Sequence, residues 1–137
     1  MSPLAIKQLN GLALAFLGDS SWEVVVRTHL IMKGFTKPQQ LHQSSVRYVS
    51  AEAQANLIMW LQEEGLLTEE ELWAFKRGRN SSPHSSAKNA SMGTYRLATG
   101  FEALMGYLYL MDPTPAGRFH SLAEQCIERV ELSDEKA

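Results

Sequence analysis

Apolar residues recur along this chain at spacings of three and four, and strict alternation is scarce. The pattern predicts helices, and their ends are well punctuated. Ser2-Pro3 opens a short first helix, with proline at the first helical position. Asn10 caps a longer one that runs to Lys33 and stops at Gly34. Pro38 begins a short helical piece over QQLHQSSVRY. Ser50 precedes AEAQANLIMWLQEE, which ends at Gly65. Thr68 and Glu71 form a capping box for a helix expected to end at Gly78. A further helix is predicted from about Thr94 to Leu110. A final amphipathic one runs from about Arg118 to Glu131, followed by a polar tail from about residue 132. Between them, RNSSPHSSAKNASMG (residues 79–93) is the one long irregular stretch, expected to be mobile and functional. No internal repeat is visible. The expectation is an all-α fold in a single domain spanning residues 1–137.

Two of the predicted helices are apolar almost all round, yet each carries a carboxylate. In LALAFLGDSSWEVVV, Asp19 has Ala15, Phe16, Trp22 and Glu23 one turn away. In TGFEALMGYLYL, Glu102 shares its face with Tyr95, Ala98, Thr99, Met105, Gly106 and Tyr109. Both acids are expected to be buried, each beside small residues that open space: Gly18 and Ala15, then Gly106 and Ala103. An unpaired buried carboxylate costs several kcal/mol, so each must be protonated, paired or bound to a cation. Pairing with Arg27 or Arg96 is one solution. A divalent ion shared between the two helices is the other, and carboxylates without nitrogen or sulfur ligands suit Mg²⁺ or Mn²⁺.

The 137 residues carry a net charge of -2, so no overall polyanion-binding character follows from the total. The distribution is uneven. No acid lies between Glu23 and Glu52, a stretch holding Arg27, Lys33, Lys37 and Arg47. None lies between Glu71 and Glu102, a stretch holding Lys76, Arg77, Arg79, Lys88 and Arg96. Such segments can present a basic surface to a phosphate backbone, though charge runs also arise as solvated surface. A carboxylate-held ion amid basic loops is the arrangement needed to hydrolyse a phosphodiester. The four histidines lack metal-ligand spacing. Ser20-Ser21 has no histidine partner in reach for a hydrolase triad. The single Cys126 excludes a disulfide framework and a cysteine zinc site. No segment reaches the roughly 18 apolar residues of a spanning helix. The N-terminus lacks the apolar core of a secretory signal. A cytoplasmic protein without membrane attachment is expected.

FLGDSSWEVVV followed by FEALMGYLYL resembles the ribonuclease III catalytic domain, whose signature reads like LEFLGDAVLELVV with a later FEALIGA helix. LNGLALAFLGD, KP..LH, RYVSAEAQA, RGRN, KNA and TYR..TGFEALMGYLYL are similar to landmarks of the Mini-ribonuclease III family, which has this domain without a double-stranded RNA-binding domain. The resemblance covers roughly residues 8 to 130. It implies a ribonuclease III-like helical fold, a homodimer, Mg²⁺ dependence and cleavage of double-stranded RNA, with the large-subunit (23S) ribosomal RNA precursor as substrate. Residue by residue, it implies metal-ligand and catalytic roles for Asp19 and Glu102, and a place for Phe16 at the dimer interface. Larger ribonuclease III enzymes have acids where this chain has Ala15 and Thr99, which leaves the number of metal ions open. Glu23 stands near the site in an unassigned role.

The expected activity is therefore metal-dependent endonucleolytic cleavage of double-stranded RNA, with Arg77, Arg79 and Lys88 on the RNA backbone and Lys37 and Arg47 behind them. The missing acids keep a second class open, a non-catalytic RNA-binding or ribosome-assembly protein with this fold. A plain helical interaction module with paired core acids is a third.

Overall fold

The computed structural model describes residues 1–81 and 91–136. Among the described residues seven helices follow one another: α1 (Pro3–Lys7), α2 (Gly11–Met32), α3 (Pro38–Val49), α4 (Ala51–Glu63), α5 (Glu69–Ser81), α6 (Met92–Met111) and α7 (Arg118–Lys136). No strand occurs among the described residues. None of their helices is long and apolar enough to cross a membrane.

Local chemistry explains most of the boundaries. The side chains of Ser2, Asn10, Ser50 and Ser91 accept from the backbone N–H three residues on, each satisfying an orphan donor of the first turn. Thr68 and Glu71 exchange the two bonds of the capping box at 3.0 and 3.1 Å. Gly34 (φ 97) and Gly65 (φ 63) turn the chain left-handed after α2 and α4, a conformation that a Cβ would penalise.

Three boundaries move from the sequence expectation: α6 begins at Met92 and not at about Thr94, and two helices run on past their expected ends. α5 does not stop at Gly78 but runs through it to Ser81. A Cβ at Gly78 would run into the methyl of Ala103, so this glycine serves a close approach of α5 to α6. α7 continues past Glu131 to Lys136, so the polar tail is helical. Residues 79–81 complete α5, and Ser91 caps α6, which begins at Met92. Residues 82–90, which include Lys88 and the heart of the loop expected to be mobile, lie outside the described residues.

α6 is the central element. Every residue from Ala98 to Leu108 except Glu102 is buried, and α2, α4 and α5 pack around it. That is the position of a helix apolar on all sides. Trp22 ties three elements together: its ring meets Phe101 edge-on at 5.2 Å, and its Nε1 donates to the backbone oxygen of Tyr48 at 3.1 Å. α7 is fastened at both ends. Arg118 donates to both oxygens of Glu71 at 2.8 and 3.0 Å and to the carbonyl of Leu66 at 2.7 Å. Glu131 accepts from Lys33 and from the Tyr48 hydroxyl, both at 2.9 Å, and meets the His29 ring at 2.7 Å.

Candidate active site

α2 and α6 touch at their backbones where two glycines face one another's helices. A Cβ on Gly18 would run into the carbonyl of Glu102, and one on Gly106 into the carbonyl of Leu14. The space expected beside these small residues is thus filled by the partner helix. Asp19 follows Gly18 directly, and Glu102 precedes Gly106 by one turn. The crossing therefore delivers both carboxyl groups to one place, close enough for Asp19 to push up the pKa of Glu102.

The burial of these acids differs from the expectation. Asp19 is exposed and Glu102 only partly buried. The apolar character of α2 misled the reading, because this helix has two apolar faces. Leu14, Ala15, Trp22 and Val26 enter the core, whereas Phe16 is 83% exposed and Val24 63% exposed. Asp19 stands at the rim between them, open to solvent.

Glu102 resists ionisation. Its carboxyl is pushed up to about 8, first by burial, then by the hydrogen bond and negative charge of Asp19, with a further contribution from the charge of Glu23. Against these acts a hydrogen bond from the side chain of Gln54. Neither Asp19 nor Glu102 takes part in any ion pair among the described residues. Arg27, one of the expected partners, pairs with Glu23 at 2.6 Å instead.

A donor set of this kind suits a hard divalent cation. Two adjacent carboxylates without a basic partner repel each other when ionised, and either a shared proton or a cation relieves that repulsion. Among the described residues no cluster of three or more His, Cys, Asp or Glu side chains is arranged to hold a metal. Ala15 and Thr99, where larger enzymes have acids, are both buried, and the Thr99 hydroxyl donates to the carbonyl of Tyr95 at 3.0 Å. The set is thus two carboxylates. That matches Mg²⁺, which keeps several waters and takes one or two protein carboxylates with substrate phosphate.

The basic residues singled out in the sequence have diverse surroundings. Arg77 is engaged within the fold, donating to the carbonyl of Leu9 at 2.6 Å and lying 5.4 Å from the Trp73 ring. Arg79 is half-buried over Phe75 and reaches Asn80. Arg47 is bound to Asp134 and lies over Tyr48. Lys37 stands exposed at the start of α3. Two other questions resolve locally. The Ser21 hydroxyl donates back to the carbonyl of Gly18, while Ser20 lines a surface cleft. Gln54 escaped the sequence reading. Its signal was a glutamine sharing one helical stripe with Leu57, Ile58 and Leu61, and all four are buried.

The pairing of these two acids is matched by similarity over most of the chain. Residues 12–113 fit the family model of the Ribonuclease III domain. The chain belongs to the ribonuclease III domain family. It is 51% identical to Mini-ribonuclease 3 of Streptococcus pneumoniae, across 92% of this chain and 97% of that protein. It is 49% identical to Mini-ribonuclease 3 of Enterococcus faecalis, across 95% and 97%. The fold is similar to the crystal structure of protein FN1578 from Fusobacterium nucleatum, with a TM-score of 0.75 and 27% identity over 90% of this chain and 95% of that one. As a ribonuclease III domain, the chain is an endoribonuclease acting on double-stranded RNA. The family depends on divalent metal ions.

Proposed function

We propose that Asp19 and Glu102 jointly hold a divalent cation, Mg²⁺ with Mn²⁺ as a substitute, at which a homodimer of this chain cuts double-stranded RNA in the cytoplasm. The large-subunit (23S) ribosomal RNA precursor is the substrate this reading assigns, following the resemblance to Mini-ribonuclease III. The single observation that carries the site is the convergence of the two carboxyl groups, neither of which is in an ion pair among the described residues. When bound, the ion supplies Lewis acidity toward the scissile phosphate and lowers the pKa of water.

The chain's own residues do the rest. Asp19, exposed, meets the incoming phosphate side of the site, and Glu102 anchors the pair from the half-buried side. The negative charge of Glu23, held one turn along α2 by Arg27, adds to the field that favours a cation at the pair. Lys37, Arg79 and Lys88 lead the contacts to the RNA backbone, with Arg47 and Arg77 as contacts that first exchange their present partners. Recognition is by helical shape and phosphate position.

Dimerisation is supported by the apolar face of α2 turned away from the core. Phe16 is 83% exposed there. Close by is a cleft of about 180 Å³ lined by Leu17, Val24, Val25, Tyr109 and Phe119. A twofold arrangement would place the Phe16 ring of each copy in this cleft of the other, an isologous contact.

The deciding experiment is incubation with a structured fragment of 23S precursor, in Mg²⁺ and in EDTA. Cutting is expected in Mg²⁺ alone and is expected to vanish in Asp19→Asn while RNA binding persists. Equal cutting by Asp19→Asn would overturn the assignment.

A further inference from the structure

No acid lies on α3, so Arg47 has no carboxylate partner on its own helix. Its partner comes from 87 residues away in the chain. The Arg47 Nε donates to Asp134, near the end of α7, at 2.7 Å, and a second nitrogen of the same guanidinium donates to the same carboxylate oxygen. Asp134 thus occupies the fork with which an arginine grips a phosphate. Past Glu131 the described residues of α7, Leu132, Ser133 and Asp134, are all exposed. One turn back, Glu131 is fixed more firmly, with His29, Lys33 and Tyr48 all meeting one of its carboxylate oxygens. Glu131 is therefore the anchor of this helix end and Asp134 its outer catch. The catch is open to solvent on both sides, with 47% of the Arg47 side chain and 42% of the Asp134 side chain exposed. Ion pairs in that setting are worth little against water and salt.

We infer that the end of α7 is an autoinhibitory strap: Asp134 occupies the Arg47 guanidinium and competes for it with the phosphate backbone of double-stranded RNA. The inference rests on the reading of Arg47 as an RNA contact. A carboxylate on the same chain is always at hand, so it lowers the affinity of any RNA that must displace it. Displacement leaves the core intact, because Glu131 keeps its three partners while the exposed turn beyond it moves. Opening the strap adds one phosphate contact. Each such contact steepens the fall of log affinity with log salt by about 0.9 for a duplex.

The test measures binding of the full chain to a labelled RNA duplex in EDTA, by fluorescence anisotropy over a range of salt. Asp134→Asn and Arg47→Gln are made singly and together, with melting followed by circular dichroism. Asp134→Asn is expected to bind up to about 8-fold more tightly at about 0.1 M salt, one phosphate contact's worth, with a salt slope steeper by about 0.9. Adding Arg47→Gln is expected to cancel both gains, since the strap acts through that arginine alone. An Asp134→Asn variant that binds no tighter than native, while Arg47→Gln weakens binding, overturns the strap and leaves Arg47 as an RNA contact. A gain that survives in the double variant marks a general effect of the lost charge and overturns the strap too. Equal affinity across the series removes Arg47 from the RNA surface, and this inference with it. Loss of fold in Asp134→Asn would assign the pair to stability and equally overturn the strap.

Discussion

A carboxyl group shielded from water and placed beside a second one resists ionisation, and Glu102 is in that situation, with its pKa raised to about 8. A raised acid contributes stability that is complete below its ordinary value near 4.5 and lost as pH climbs through 8. Glu102→Gln is therefore expected to melt above the native protein at pH 9 in EDTA, with the gap closing at pH 4, as read by circular dichroism. The same substitution is expected to abolish cleavage. Glu131 works in the opposite sense. Burial raises it, but His29, Lys33 and Tyr48 together bring it down to about 2. Its contribution is present above about 4.5 and lost as pH falls toward 2. The stability difference between native protein and Glu131→Gln should be widest at neutral pH, shrink below about pH 4.5 and disappear in acid urea titrations below about pH 2. Both acids of the proposed site stand out in the chain, because a charge in an almost wholly apolar helix is conspicuous. Their exposure does not. Solvent reaches Asp19 through a face of α2 that looks, residue by residue, like core.

At the scale of elements, the crossing of α2 over α6 decides the site. Glycine in a helix interior costs about 1 kcal/mol against alanine through chain entropy. Gly18 and Gly106 offset that by letting two backbones meet, which sets Asp19 beside Glu102. Gly106→Ala is expected to destabilise the protein by about 3 kcal/mol, the upper range for an overpacked core, since its methyl would meet the backbone of Leu14 and not a side chain that can swing away. Urea denaturation would measure it; a change below about 0.5 kcal/mol, within the scatter of neutral surface changes, would contradict the packing argument. Most helix starts were readable because capping is local, though α6 begins two residues ahead of the expected Thr94. The stop expected at Gly78 was not real, since a glycine that ends a helix and one that admits a neighbouring helix look alike in one dimension.

For the whole molecule, the unpartnered apolar face of α2 is the feature that a lone chain leaves unexplained. Phe16→Asp places a charge at its most exposed point and is expected to convert a dimer to monomer in analytical ultracentrifugation, with melting of the monomer little changed because Phe16 lies outside the core. A monomeric native protein at micromolar concentration would remove this prediction. The basic residues behave differently from a simple electrostatic footprint. Arg47 and Arg77 already have partners within the fold, so their contribution to RNA affinity is expected to be smaller than that of exposed Lys37.

By itself the amino-acid sequence determined the all-helical class, most of the helix starts and the two acids of the proposed site, together with the likeness that pointed to the family. These depend on hydrogen bonds reaching three or four residues, on the helical period, and on a charge lying where its neighbours are apolar. The tertiary structure alone decided which side of α2 faces the core, that Gly18 and Gly106 make a backbone contact, that Arg27 serves Glu23, and that Gln54 reaches Glu102. Those outcomes turn on groups far apart in the chain meeting in space. Gln54 nears Glu102 only when α4 packs on α6, and Asp19 joins them only when α2 packs on the same helix.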